Sequence, residues 1–248
     1  MPEKIQKVLA QNGLGSRREI EQWISSGRIK VNGVIAQLGA RIDNTAKVLI
    51  DDRLVTLNNV ASTDSVLLYH KPEGELCTRH DPEGRPDVFA SLPTPKKGRF
   101  ISVGRLDLNT SGLLLFTTNG ELAHRLMHPS YEIEREYAVR VLGAASDIQI
   151  DQLLSGVLID GLMAKFTHIE QMQGTGANIW YRVIILEGRQ REVRRLWQAV
   201  GLTVSRLIRV RFGPIQLPKS LEKGQFMYLS HKEVELLKKS VNLTSDQR

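Results

Sequence analysis

Apolar positions recur at helical spacing at the start of the chain: Ile5, Val8 and Leu9 share one face between Glu3 and Asn12, and Gly13 follows as a stop. The second predicted helix is better punctuated. Ser16 with Glu19 three residues on is a capping box, Ile20, Trp23 and Ile24 form the apolar face, and Gly27 ends it. The pattern then changes to alternation. Arg28-Ile29-Lys30-Val31-Asn32-Gly33-Val34, with its Asn-Gly turn, reads as a hairpin, and Val48 to Ile50 and Leu54 to Leu57 read as further strands. These elements predict a small domain over residues 1–60, and the polar run Asn58 to Asp64 marks a linker, set at 61–65.

From Val66 onward short strand patterns (Val66 to Tyr69, Leu113 to Thr117, Tyr137 to Val141, Tyr181 to Leu186) are interspersed irregularly with helices such as Glu121 to Met127 and Glu192 to Val200. A doubly wound parallel sheet would show a regular strand-helix repeat. Its absence predicts an α+β fold with a mixed, mainly antiparallel sheet flanked by helices over residues 66–237, followed by a polar, frayed tail at 238–248.

Composition narrows the partners. A hydrophobic share of 41% in 248 residues is enough for a sizeable core, and a net charge of +7 with pI about 9.6 favours an anionic partner. No apolar run is long enough to span a bilayer, and Met1 to Asn12 is too charged for a signal peptide, which predicts a cytoplasmic protein with no membrane partner. The single cysteine, Cys77, excludes an internal disulfide and a cysteine zinc cluster. Phosphate-loop and dinucleotide fingerprints are missing, as are a His-Glu-x-x-His pair and a Gly-x-Ser-x-Gly elbow. His124 and His128 share a helix face without an argued third ligand, so no metal and no cofactor are expected.

The most distinctive segment is Gly104-Arg105-Leu106-Asp107-Leu108-Asn109-Thr110-Ser111-Gly112, a polar loop set between Val103 and the apolar run Leu113 to Phe116. Anchored to a sheet on both sides, such a loop can hold a carboxylate in a defined geometry. On residue chemistry alone Asp107 is a candidate catalytic carboxylate, an Asx turn, or the partner of Arg105 in a salt bridge.

The loop resembles the signature loop of the pseudouridine synthases, and the chain is similar in particular to the ribosomal branch that carries an S4-like RNA-binding domain in front. Ser16-Arg17-Arg18-Glu19 and Gly27 to Gly33 resemble the S4-like domain. Lys71-Pro72-Glu73-Gly74, Arg135-Glu136-Tyr137 and Leu186-Glu187-Gly188-Arg189-Gln190-Arg191-Glu192-Val193-Arg194-Arg195 resemble the other catalytic-domain motifs, in the family's order. Lys71 to Pro86, Leu113 to Ser130 and Asn178 to Gly213 are most similar to members acting on the large ribosomal subunit.

The resemblance implies conversion of a uridine in ribosomal RNA to pseudouridine by a monomer, with Asp107 as the catalytic carboxylate. It also implies that Arg194 keeps Asp107 ionised and oriented and that Tyr137 lies against the flipped base, with Arg105 and Leu186 in the substrate pocket. Lys7, Arg17, Arg18, Arg28 and Lys30 in the first domain are expected to contact RNA, as are Arg189, Arg191, Arg195, Arg206 and Arg209 in the second. Arg211 and Trp197 share that basic span, and Arg79, His80 and Arg85 form a candidate recognition loop. Two rivals remain at this level: a binding protein without catalysis, and a nucleoside hydrolase or glycosidase, which calls for a second carboxylate that no sequence pairing supplies.

Overall fold

The computed structural model describes residues 2–43, 45–57, 64–79, 81–172 and 177–243. The expectations for His80, for most of the linker and for residues 244–248 lie outside these. The chain divides into two compact units, the first made of Met1–Ser65, Thr94–Ile101 and Thr117–Gly120, the second of Val66–Pro93, Ser102–Phe116 and Glu121–Arg248.

In the first unit the strand β1 (Glu3–Lys4) leads into the helices α1 (Ile5–Gln11) and α2 (Arg17–Ser25). The Ser16–Glu19 capping box forms as read: Glu19 N donates to Ser16 Oγ at 3.0 Å and Ser16 N to Glu19 Oε2 at 2.6 Å. Strands β2 (Ile29–Val31), β3 (Val34–Ile35), β4 (Arg41–Ile42), β5 (Val48–Ile50) and β6 (Arg53–Val55) follow, with a four-stranded sheet ordered β3-β2-β5-β6 and a separate β1-β4 pair. Asn32 and Gly33 both take positive φ (50° and 86°), the requirement of a two-residue hairpin turn between β2 and β3. Ile5, Leu9, Ile20, Ile24, Ile29 and Val48 close the core.

The second unit is built on β7 (Val66–Lys71), β8 (Ile101–Val103), β9 (Ser111–Thr117), α3 (Gly120–Met127) and β10 (Arg135–Leu142). These lead to α4 (Asp147–Ser155), the hairpin β11 (Val157–Ile159) and β12 (Leu162–Ala164), then β13 (His168–Gln171) and β14 (Asn178–Ile185). The chain closes with α5 (Glu192–Ala199), β15 (Thr203–Phe212), β16 (Ile215–Gln216), β17 (Phe226–Tyr228) and α6 (His231–Ser240). The main sheet runs β13-β14-β10-β15-β9-β7-β17.

Pairing is antiparallel at β10–β14, β10–β15, β13–β14 and β7–β17, while β9 and β15 run parallel, giving the expected mixed sheet. At the parallel contact Arg209 lies opposite Gly112, where a Cβ would fall 2.3 Å from the Arg209 carbonyl oxygen and φ is +111°; only glycine fits. Tyr181 and Phe166 pack against Trp197 of α5 with their rings tilted, centroids 4.8 and 5.9 Å away, and hold that helix to the sheet. Helix α6 is stapled by a Ser230–Glu233 capping box and buries Val234 and Leu237, with Val241 buried beyond it. The tail expected from Lys238 is therefore helical and packed up to this point. No helix among the described residues is long and apolar enough to cross a membrane.

Candidate active site

Asp107 sits in a turn fixed by backbone contacts. Thr110 N donates to the Asp107 carbonyl at 3.0 Å, and Leu106, one residue earlier, exchanges hydrogen bonds with the Cys77 thiol: Leu106 N donates to Sγ at 3.4 Å and Sγ donates to Leu106 O at 3.3 Å. Burial pushes the Cys77 pKa up, which keeps the thiol able to donate. Beneath the turn lies Lys71, fully buried at the end of β7. Its Nζ donates to the carbonyls of Pro72 (2.8 Å), Thr110 (3.0 Å) and Asp107 (3.3 Å), so one ammonium grips both ends of the turn. Burial pushes the Lys71 pKa down, opposed by Cys77, Glu75, Glu73 and Asp107.

The half-buried Asp107 carboxylate has no hydrogen-bond or ion-pair partner among the described residues. Both structural alternatives therefore fail: the turn bond is made by its carbonyl, and Arg105 stays exposed and unpaired. Arg194 behaves differently from expectation. Its Nη1 donates to Val204 O at 2.9 Å and its Nη2 to Asn109 O at 2.8 Å, so it fastens the far side of the Asp107 turn and makes no ion pair with the carboxylate. Burial and then Arg191 push the Arg194 pKa down, and Asp107 pulls it back up.

Asp107 opens onto a cleft of about 1170 Å³, which also takes Tyr137 from β10, Leu186 just past β14, and Arg105. The volume lies above the usual range for a small-molecule pocket. Tyr137 is 7% exposed and shares the inward face of β10 with Arg135, Val139 and Val141. Arg135, Arg209 and Phe212 also line the cleft, both guanidinium carbons lying 5.3 Å from the Phe212 ring centroid.

Glu192, at the start of α5, is another lining group that is almost fully buried. Its Oε2 accepts from Arg189 N at 3.0 Å, and burial pushes its pKa up. A second carboxyl group is thus present in the cleft, contrary to the sequence reading, but it is engaged in holding the loop before α5. Asp81, also in the lining, is paired with Arg85 at 2.7 Å.

Comparison with known proteins gives the family. The pattern described as RNA pseudouridylate synthase matches residues 65–199, and that of the S4 domain matches residues 3–43. The chain belongs to the RNA pseudouridylate synthase family. It is 54% identical over 97% of its length to the ribosomal large subunit pseudouridine synthase B of Pseudomonas aeruginosa, of which it covers 63%. It is 55% identical over 98% of its length to the protein of the same name from Escherichia coli strain K12, covering 84% of that chain. A crystal structure of a pseudouridylate synthase superposes with TM-score 0.65 at 27% identity, covering 94% of this chain and 99% of that one.

The basic residues of this synthase fall into distinct groups. Arg17, Arg18, Arg105, Arg191 and Arg206 are exposed and have no ion-pair partner among the described residues. Others are paired: Lys7 with Glu3, Arg28 with Asp51, Lys30 with Asp52, Arg189 with Glu187, Arg195 with Asp160, and Arg211 with Glu134 and Glu136. Arg79 lies 3.8 Å over Phe89.

Arg209 departs furthest from the reading as a surface contact. It is 2% exposed, and its Nε donates to Leu113 O at 2.7 Å, because it points to the same side of β15 as buried Leu207. Trp197 is likewise fully buried.

Lys71, Arg135 and Glu192 stand in the motifs that carry the resemblance, but the sequence assigns them no role of their own. Arg135 was detectable, since it stands two positions before Tyr137 and so shares its strand face. For Lys71 the signal is its place at the head of the Lys71-Pro72-Glu73-Gly74 motif, two residues past the apolar run Val66 to Tyr69.

Proposed function

We propose that this synthase isomerises a specific uridine of ribosomal RNA, in the large subunit, to pseudouridine. What supports the reading above all is the Asp107 carboxylate, left unengaged in the cleft while its backbone is gripped by Lys71 and, through Asn109, by Arg194. The names of the relatives supply the substrate class.

The chemistry requires that the C1′–N1 bond break, the base turn, and C1′ rejoin at C5. Asp107 serves the sugar, either attacking the anomeric carbon as a nucleophile or stabilising and deprotonating a sugar cation. The reaction is redox-neutral and needs no cofactor. Tyr137 lies against the base, and Leu186 walls the pocket. Arg194 acts as a positioning residue that maintains the turn and adds positive potential near Asp107. Taking the uridine out of folded RNA costs a few kcal/mol, about 3, which contacts of Arg105, Arg191 and Arg206 with the flanking strand offset. Arg17 and Arg18 of the S4 unit add phosphate contacts that position without reading sequence.

The test is chemical mapping of pseudouridine in ribosomal RNA from cells lacking the protein and from cells carrying Asp107→Asn. The reading expects the same single large-subunit site to vanish in both strains. No lost site in the deletion strain rules out the activity, and loss in the deletion alone rules out Asp107.

A further inference from the structure

We propose that Arg135 is a further catalytic group of this enzyme, stabilising negative charge on a carbonyl oxygen of the uracil as the C1′–N1 bond breaks. The inference rests on the uridine-isomerising reading above. When that bond breaks its electron pair goes to N1 and is delocalised onto O2 and O4. The charge is taken up again when C5 bonds to C1′, the C5 proton leaves and a proton returns to N1, so the step balances without a co-reactant. A fixed cation inside a water-poor cleft is the arrangement that lowers the barrier to such a departure.

Arg135 is fixed and is left with a free edge. It is 8% exposed, and its Nη1 alone satisfies two carbonyls, Ile133 O at 2.8 Å and Leu186 O at 2.6 Å. Its Nε and Nη2 have no hydrogen-bond partner among the described residues, and the side chain lines the cleft. Gly188 lies flat beside this edge, where a Cβ would be 3.4 Å from Nε. Tyr137, two residues along on the same strand face, fixes where the base would lie.

The charge balance points the same way. No carboxylate hydrogen-bonds Arg135; Glu192 acts on it only through space, and its Oε2 is engaged by Arg189 N. Arg209, beneath the same Phe212 ring, is a second buried cation that repels it. Two buried like charges with no carboxylate hydrogen-bonded to Arg135 are costly unless the ligand brings further negative charge. A base enters such a cleft ahead of its phosphates, which stay at the rim with the exposed Arg105 and Arg191. The buried position therefore selects the base as the partner.

The experiment compares single-turnover consumption of the target nucleotide in transcripts of large-subunit ribosomal RNA made with uridine or with 5-fluorouridine. Fluorine makes the departing base more acidic, so it leans less on outside stabilisation. Arg135→Met is expected to slow the uridine transcript about 100-fold and the 5-fluorouridine transcript about 10-fold or less, with RNA affinity within about 3-fold of wild type. Arg135→Lys, which keeps the charge and one donor direction, should show the same inequality at smaller size, and it carries the test should the methionine variant fail to fold. Equal losses on both transcripts, as a purely structural role would give, overturn the proposal alone. A wild-type protein inert on both transcripts overturns it together with the isomerase reading.

Discussion

Lys71 holds Asp107 by its backbone and not by its carboxylate: Nζ lies 3.3 Å from the Asp107 carbonyl oxygen and 3.0 Å from that of Thr110. The ammonium thereby fixes where the carboxylate starts and leaves the carboxylate itself unoccupied. Lys71→Met removes these bonds and strands carbonyls in a dry interior, with an expected loss of about 3 kcal/mol. Urea unfolding of the variant measures this, and a midpoint equal to wild type would refute the clamp.

Asp107→Asn is expected to separate activity from stability. Because the carboxylate has no partner among the described residues, the change should move unfolding free energy by no more than about 0.5 kcal/mol. Turnover should fall by at least about 1000-fold. Calorimetry beside a single-turnover assay distinguishes this from a structural aspartate, whose loss would show in both.

Arg206 and Arg209, neighbours on β15 that look alike in the sequence, should behave as opposites. Arg206→Ala is expected to leave stability within about 0.5 kcal/mol and to lower the salt dependence of RNA binding by about one counterion. Arg209→Ala, at a position 2% exposed, should cost about 3 kcal/mol. Parallel melts and binding isotherms in varied salt check the contrast, and matching behaviour would contradict the assigned faces.

Glu73 provides a pH signature. Burial pushes its pKa up, but hydrogen bonds from Lys223, its own backbone and Ser111 outweigh this and hold it at about 2, against an ordinary 4.5. A carboxyl depressed in the folded state contributes fully above pH about 4.5, and that contribution fades as pH falls toward about 2. Melting temperatures of wild type and Glu73→Gln should therefore differ at pH 6 and converge toward pH 2; a constant difference would remove Glu73 as the cause.

Gly112→Ala places a methyl group 2.3 Å from the Arg209 carbonyl oxygen, so β9 and β15 would have to separate. A loss of about 3 kcal/mol or more is expected, read by thermal unfolding.

The locally determined parts of the fold were legible. The Ser16–Glu19 capping box and the Asn32-Gly33 turn are short-range devices whose chemistry lies within a few residues, and both form as the sequence implies. Asp107 stood out because a polar stretch between two strands is conspicuous. What escaped depends on contacts far apart in sequence: Lys71 meeting carbonyls at Asp107 and Thr110, or Arg194 bonding Asn109 instead of the carboxylate. The burial of Arg209 was half legible. Its two-residue spacing from Leu207 gives the shared face, but that Arg209 is closed in shows only in its burial and in its bond to Leu113 O, distant in sequence.

The parallel contact between Gly112 and Arg209 sets a timetable as well as a geometry. Asp107 and Tyr137 leave the ribosome well before β15, the strand that lies between β9 and β10 and fixes their spacing. A nascent chain that stops short of Phe212 carries both side chains without the partition that brings them to one cleft. The cleft thus takes its final form only after β15 has been made.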